Sequence, residues 1–338
     1  MTNELPPQSP QSPQPPRDRA IDPTRELPIE QLRNQPIVAD ELPSQSPAQQ
    51  SWRRFRRHKP AMFGGIYLLV LVGVMLAALP WTLQNYNEQQ LTLSRMSPSW
   101  NHPFGFDILG RDMLHRCLFG GLISFAVGIG AALVSVTVGV LWGAISALAG
   151  GRIDNAMMRL VDILYGLPYI LLVILMKVAF ESPLARLLGG DRQMANIVIL
   201  FLAIGSVSWL TMSRVVRGQV LSLREMPFVE AARAAGVGPM GVLVRHLLPN
   251  LVGPIVVYAT LTIPQAILQE SFLSFLGIGV APPIPTWGSL AADGVAAINT
   301  VVSFWWMLFY PCLLLGTTLL ALNFVGDGLR DALDPRER

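Results

Sequence analysis

Four histidines, two lysines and two cysteines are the residues from which this 338-residue chain could assemble a nucleophile, a phosphate cradle or a metal centre. Their spacing supports none of these. Lys59 and Lys177 stand outside any GK[ST] sequence, so there is no glycine-rich loop to wrap a nucleotide and no lysine to reach its terminal phosphates. His58, His102, His115 and His246 are scattered over different regions, without a nucleophile or a set of metal ligands around them. Cys117 and Cys312 have no CxxC spacing and read as small apolar side chains. The expectation is a chain that is not an enzyme, binds no cofactor or metal of its own and no nucleic acid.

The remaining charged groups are few. Charged residues make up 14% of the chain and hydrophobic ones 51%, whereas a soluble domain carries about a quarter charged residues. Six segments meet the length of about 20 apolar residues that a bilayer crossing requires: Ala61–Trp81, Leu122–Ala149, Ala156–Phe180, Met194–Met212, Leu251–Phe275 and Ser303–Val325. The second, fourth and sixth contain no Asp, Glu, Lys or Arg. Their length and lack of alternation predict helices, and hence an all-α integral membrane protein with six transmembrane helices. Pro168, Pro254, Pro264 and Pro311 fall inside these runs and read as kinks within packed helices. No internal repeat is visible.

Residues 1–50 hold eleven prolines and eight glutamines, a composition that cannot bury a core and predicts a disordered tail. No apolar segment precedes residue 61, so a cleaved signal peptide is not expected. Five Lys/Arg between Arg53 and Lys59 then flank the first span. Basic residues beside a span are retained in the cytoplasm. With that flank inside, Lys and Arg near the spans divide fourteen to five in favour of the same side, and both termini are expected in the cytoplasm. The organisation expected is a tail over 1–50, a basic flank with first helix and outer loop over 51–121, a five-helix core over 122–325 and a cytoplasmic C-terminal tail over 326–338. A large cytoplasmic loop, 213–249, interrupts the core.

That loop contains EAARAAGVGPMGVLVRHLLPN, from Glu230 to Asn250. Pro227 suits the first turn of a helix, and Phe228, Val229, Ala231, Ala232 and Ala235 supply helix formers and a small apolar face. Glu230 and Arg233 are neighbours on its surface. Gly236 can take the left-handed conformation that closes a helix. A second short helix starts at Pro239 and is expected to end before Pro249.

Glu230-Ala231-Ala232, three residues, then Gly236, and a stretch ending in His246-Leu247-Leu248-Pro249-Asn250 resemble the EAA motif of bacterial ABC importer permeases. VVRGQVLSLREMPFVEAARAAG, ESFLSFLGIGVAPPIPTWGSL, NFVGDGLRDALDPR and HPFGFDILGRD resemble blocks of the dipeptide, oligopeptide and nickel branch, and in particular its second, C-type permease subunits. The resemblance covers about residues 50–338. Phe106 departs from it, standing where the branch has threonine, which removes a hydrogen bond that could form the turn.

The resemblance implies the type I ABC importer permease fold in the bacterial inner membrane. It implies transport of di- or oligopeptides, with this chain forming half of the pathway. A second permease subunit would complete a heterodimer. Two cytoplasmic ATPases would bind ATP and Mg, and a periplasmic or extracellular binding protein would deliver substrate. Glu230, Ala231, Ala232, Arg233, Gly236 and Pro249 would belong to the ATPase-coupling element. Within the spans, Gln265 and Gln269 share a helix face with Thr262 and Glu270 nearby. These are candidates for the translocation path or for helix–helix hydrogen bonds. PPIPTWG, from Pro282 to Gly288, reads either as a landing site for the binding protein or as a rigid outer closure. The alternative function is an ion-coupled secondary transporter or channel, for which Asp162, Lys177 and Glu270 are the ionisable groups within spans.

Overall fold

The structure, a computed structural model, describes residues 47–298 and 302–333. Nearly all of the Pro/Gln-rich segment lies outside the described residues, as does the chain beyond Leu333. Eleven α-helices are present among them: α1 (Pro47–Arg57), α2 (Lys59–Asn85), α3 (Met113–Ala149), α4 (Gly151–Tyr165), α5 (Tyr169–Leu187), α6 (Arg192–Leu223), α7 (Pro227–Ala234), α8 (Pro239–Val242), α9 (Leu248–Phe275), α10 (Trp287–Ala296) and α11 (Trp306–Leu333).

Five of the expected spans are single rods: α2, α3, α6, the continuous stretch from α8 through α9, and α11. The third is not. The run read as one helix over Ala156–Phe180 is the pair α4 and α5, bent by 93°. Pro168 lacks an N–H and disfavours helical backbone at Leu167, and the Gly166 N–H turns back onto the carbonyls of Asp162 and Ile163. A hydropathy window averages across this break and cannot see it.

A second expectation also fails. Pro249 does not end the helix that begins at Pro239. Residues Leu243–Leu247 form a π-helical turn, in which the Leu248 N–H reaches the Leu243 carbonyl. The wider turn accommodates the proline ring. The Asn250 side chain donates to the His246 carbonyl at 2.6 Å. The chain therefore runs helical from Pro239 to Phe275.

α3 and α6 form the centre of the bundle and approach closely through small residues. A side chain at Gly143 would collide with the Ser213 carbonyl, and one at Gly139 with Met212. At one end of the bundle a single apolar cluster joins Ala144 and Ala147 of α3 to Met212, Val216 and Val220 of α6 and Leu251 of α9. At the other end, Trp287 is fully buried against Met75, Phe125 and Ile267. Its indole N–H donates to the Cys117 carbonyl at 3.0 Å. Gly288 follows because the α9 backbone at Ser271 occupies the space a side chain would need. The second half of PPIPTWG is thus a buried wedge, while Pro282 at its start is exposed.

Counting crossings puts α1, the start of α4, the α7–α8 hairpin and the end of α11 on one face. The 86–112 loop, the α5–α6 turn and α10 lie on the other. Contacts agree: His58 meets Asp331 at 3.7 Å, Arg217 pairs with Asp154 at 2.6 Å, and Arg116 of α3 faces Asp293 of α10 at 3.5 Å.

The 86–112 loop is built around Asp107. One carboxylate oxygen accepts the N–H groups of Leu109 and Arg111, both at 2.8 Å; the other accepts Arg111 Nε at 2.6 Å and Arg116 Nη1 at 2.5 Å. The Asp107 carboxylate therefore supplies the turn hydrogen bonds. A hydroxyl at position 106 is dispensable, and Phe106 is buried against the His102 ring at a centroid distance of 4.6 Å. Asp107→Ala would strand the buried Arg111 guanidinium and leave Arg116 only its longer contact to Asp293, a loss of about 3–5 kcal/mol. The measurement is the thermal unfolding midpoint of the detergent-solubilised chain, expected to fall clearly. An unchanged midpoint would show that the loop is held by something else.

Candidate functional site

Two features of the fold bear on function: a hairpin on one face, and a cavity inside the bundle. The hairpin is α7, a turn and α8. Pro227 and Pro239 occupy first turns of their helices, where a missing N–H is harmless. Gly236 adopts φ +85°. Its N–H bonds to the Arg233 carbonyl at 2.9 Å and the Val237 N–H to the Ala232 carbonyl at 3.1 Å, the paired closure of a helix that requires a left-handed residue. Such a conformation costs a residue with a Cβ about 1–2 kcal/mol.

The apolar residues of the hairpin divide between two surfaces. Val229, Val242, Leu243 and Leu247 are buried in the cluster that holds the ends of α3, α6 and α9. Arg224 secures the base, donating to the Ala147 carbonyl at 3.3 Å. Glu230, Ala231, Arg233 and Gly236 are exposed and Ala232 half-buried. Pro249 is also exposed, beyond the π-helical turn. Beside them stand Met226, Phe228, Met240 and Val244, each at least 41% exposed. The face expected to carry small side chains and charges therefore also presents bulky, adaptable apolar groups. Helical periodicity from Pro227 was the available signal: it sets Phe228 one position away from the buried Val229.

The cavity has a volume of about 450 Å³ and lies between α4, α5, α6 and α9. Its polar lining is Gln265 and Gln269 from α9, the hydroxyls of Ser208, Thr211 and Thr262, and three tyrosines, Tyr165, Tyr169 and Tyr258. Among the described residues no charged side chain lines it. Gln269 Oε1 is buried without a hydrogen-bond partner among the described residues. The two glutamines placed on one face by sequence spacing do reach one space. Sequence reasoning missed the tyrosines, because the α4–α5 break that brings Tyr165 and Tyr169 to the wall was not recognised.

Glu270 faces away from this cavity. It is fully buried, accepting from Ser124 Oγ of α3 at 2.8 Å and Ser274 Oγ at 2.6 Å. Asp162 pairs with Arg214 at 2.8 Å, and the Arg214 guanidinium lies 4.5 Å from the Tyr165 ring centroid. Because Arg214 is one turn from Thr211, this pair borders the cavity on the hairpin side. Lys177 donates to the Ile278 and Gly279 carbonyls at 2.8 and 2.7 Å. The three ionisable groups considered for ion coupling are each engaged by a different partner and do not form a relay. No group of three His, Cys, Asp or Glu suited to a metal is present among the described residues.

Known proteins share this architecture. Residues 139–338 match the family model for the binding-protein-dependent transport system inner membrane component, and residues 46–99 that for the N-terminal TM domain of oligopeptide transport permease C. The dipeptide transport system permease protein of Bacillus subtilis is 39% identical, over 92% of this chain and 92% of its own. The oligopeptide transport system permease protein of Haemophilus influenzae is 40% identical over 92% and 95%, and that of Escherichia coli K12 42% over 88% and 94%. A solved chain of a methionine ABC transporter in an inward-facing conformation has the same fold, with a TM-score of 0.50, at 21% identity over 66% of this chain and 98% of its own. The expectation of a multi-pass, non-enzymatic ABC permease in the bacterial inner membrane stands. The chain belongs to the family of inner membrane components of binding-protein-dependent transport systems.

Proposed function

We propose that this chain is one of two permease subunits of an ATP-driven peptide importer, and that the α7–α8 hairpin docks on a cytoplasmic ATPase. The observation that carries the proposal is continuity. The hairpin runs without a break into α9, and α9 places Gln265 and Gln269 in the cavity. Movement of the docked hairpin is then movement of a cavity wall.

Each part has a physical role. Glu230 and Arg233 offer directional polar contacts, while Met226, Phe228 and Met240 offer an apolar surface that needs a partner to cover it. Gly236 sets the angle between the two short helices, and Pro249 marks where the widened turn passes into the span. Amide and hydroxyl groups can pair with the N–H and C=O groups of a peptide backbone whatever its side chains. An uncharged wall suits substrates of varied charge. The cavity would be half of the pathway, a second permease supplying the other half and a binding protein the substrate. ATP and Mg belong to the two ATPases, and the hairpin face, with both termini, to the cytoplasm. The relatives named for dipeptide and oligopeptide transport support peptides as the cargo.

Gly236→Val is expected to lower substrate-stimulated ATPase activity of the assembled transporter at least about tenfold, given the strain of a β-branched residue at positive φ. Membrane insertion should be unaffected. Full activity would exclude the coupling turn. Glu230→Lys is expected to reduce co-purification of the ATPases, and undiminished recovery would remove Glu230 from the contact. Replacing Gln265 and Gln269 together by leucine should lower peptide uptake several-fold while basal ATPase activity persists. Unchanged uptake would remove α9 from the path.

A further inference from the structure

α1 is a short helix immediately before the first span, and its side chains divide by direction. Phe55 lies beside Gly328 of α11, where an added Cβ would sit 3.4 Å from the Phe55 ring. His58 secures the junction twice: Nδ1 accepts the Ala61 N–H at 3.2 Å, capping α2, and Nε2 approaches Asp331 at 3.7 Å. These contacts hold α1 against the end of α11 and fix which side it turns outward.

The outward side is basic. Arg53, Arg56 and Arg57 follow the i, i+3, i+4 spacing that puts them on one helix face. They and Lys59 are exposed, with no ion pair to any of the four among the described residues. The charged groups on the neighbouring end of α11 are Asp327, Arg330 and Asp331, and Asp331 is turned to His58. Trp52 is 56% exposed, stacked on Phe55 with ring centroids 5.8 Å apart, and the Arg56 guanidinium lies 5.6 Å from its ring centroid.

The surface therefore offers two things side by side: a flat apolar ring, and three guanidinium groups able to hold phosphate oxygens in bidentate fashion. Its depth is set by the chain. One residue separates α1 from α2, so the cluster sits within a few residues of the hydrocarbon edge, in the polar layer of the bilayer. A soluble acidic partner would match the arginines but leave the indole uncovered. A phospholipid with a net negative headgroup matches both, its phosphate against the arginines and its acyl–glycerol region against Trp52.

We infer that the Trp52–Lys59 segment is a binding site for anionic phospholipid headgroups, which ties α1 and the end of α11 to the membrane surface. The site is independent of the peptide-import reading. The test is photocrosslinking from the full chain in bilayers of mixed phosphatidylglycerol and phosphatidylcholine, with benzoylphenylalanine in place of Trp52. Lipid adducts should be enriched in phosphatidylglycerol relative to its share of the bilayer. The enrichment should fall at least about tenfold when Arg53, Arg56, Arg57 and Lys59 are all replaced by glutamine, since each near-surface charge contributes severalfold to attraction. Because basic residues beside a span also set its orientation, two further measurements keep the charge on the chain. Arg53→Lys, Arg56→Lys and Arg57→Lys together, which keep the charge but lose the bidentate fork, should retain more of the enrichment than the glutamine variant and less than the unaltered chain. Molar salt should abolish it in the chain with its basic residues intact. Adducts that follow bulk lipid composition, an enrichment indifferent to salt, or adducts mainly to polypeptide would each overturn the inference.

Discussion

One apolar cluster joins the surface hairpin to the bundle, and the mechanics of the molecule depend on it. Val229, Val242, Leu243 and Leu247 have their side chains in the same buried space as Ala144, Ala147, Val216, Val220 and Leu251. Each such aliphatic side chain gains about 1.5–3 kcal/mol from leaving water, far more than an exposed polar contact of a loop could supply. The hairpin therefore has no independent resting position. It must travel with the ends of α3, α6 and α9, or the cluster must open.

Helix α9 carries that constraint across the bundle. Its near end continues the hairpin through the π-helical turn, and its middle places Gln265 and Gln269 in the cavity wall. Its far end is held by polar groups that have no water to turn to: Glu270 accepts from Ser124 of α3, and Ser124 also accepts the Trp287 N–H at 3.4 Å. A buried carboxyl group is tolerated only with such partners, and removing one would leave the others without the hydrogen bonds that offset their desolvation. A rod seated at one end and latched at the other can transmit a push by tilting. The α4–α5 break faces it across the cavity, and the Asp162–Arg214 pair borders the opening. That pair is exposed enough to exchange partners at little energetic cost.

Much of this was legible in the sequence where one residue dictates one conformation. Gly236 was free to be left-handed and is, Pro227 and Pro239 suited first turns and occupy them, and Gln265 with Gln269, four apart on a helix, share a face. What was not legible depended on compensation between residues distant from one another. Pro249 signals a helix end unless the preceding turn widens, and nothing local requires Leu243–Leu247 to widen. Pro168 was one of several prolines in apolar runs. α9 and α11 continue through Pro254, Pro264 and Pro311, whereas Gly166 lets the chain fold at Pro168. Glu270 stands beside Gln269 in the chain, yet adjacent helical residues point about 100° apart, so it meets α3 rather than the cavity. The tyrosines of the wall and the exposed Met226, Phe228 and Met240 became visible only once direction was added to composition.

Distances measured between spin labels test the rigid seating of the hairpin most directly. Labels at Met240→Cys on α8 and Ile145→Cys on α3, with Cys312 replaced by serine, report whether the hairpin moves with the bundle. A second pair, Met240→Cys with Leu171→Cys on α5, reports across the cavity. In the assembled transporter, addition of ATP should leave the first distance distribution unchanged and shift the second. A shift in the first pair with the second unmoved would mean that the hairpin flexes on its own, and that the apolar cluster does not transmit its motion to the cavity.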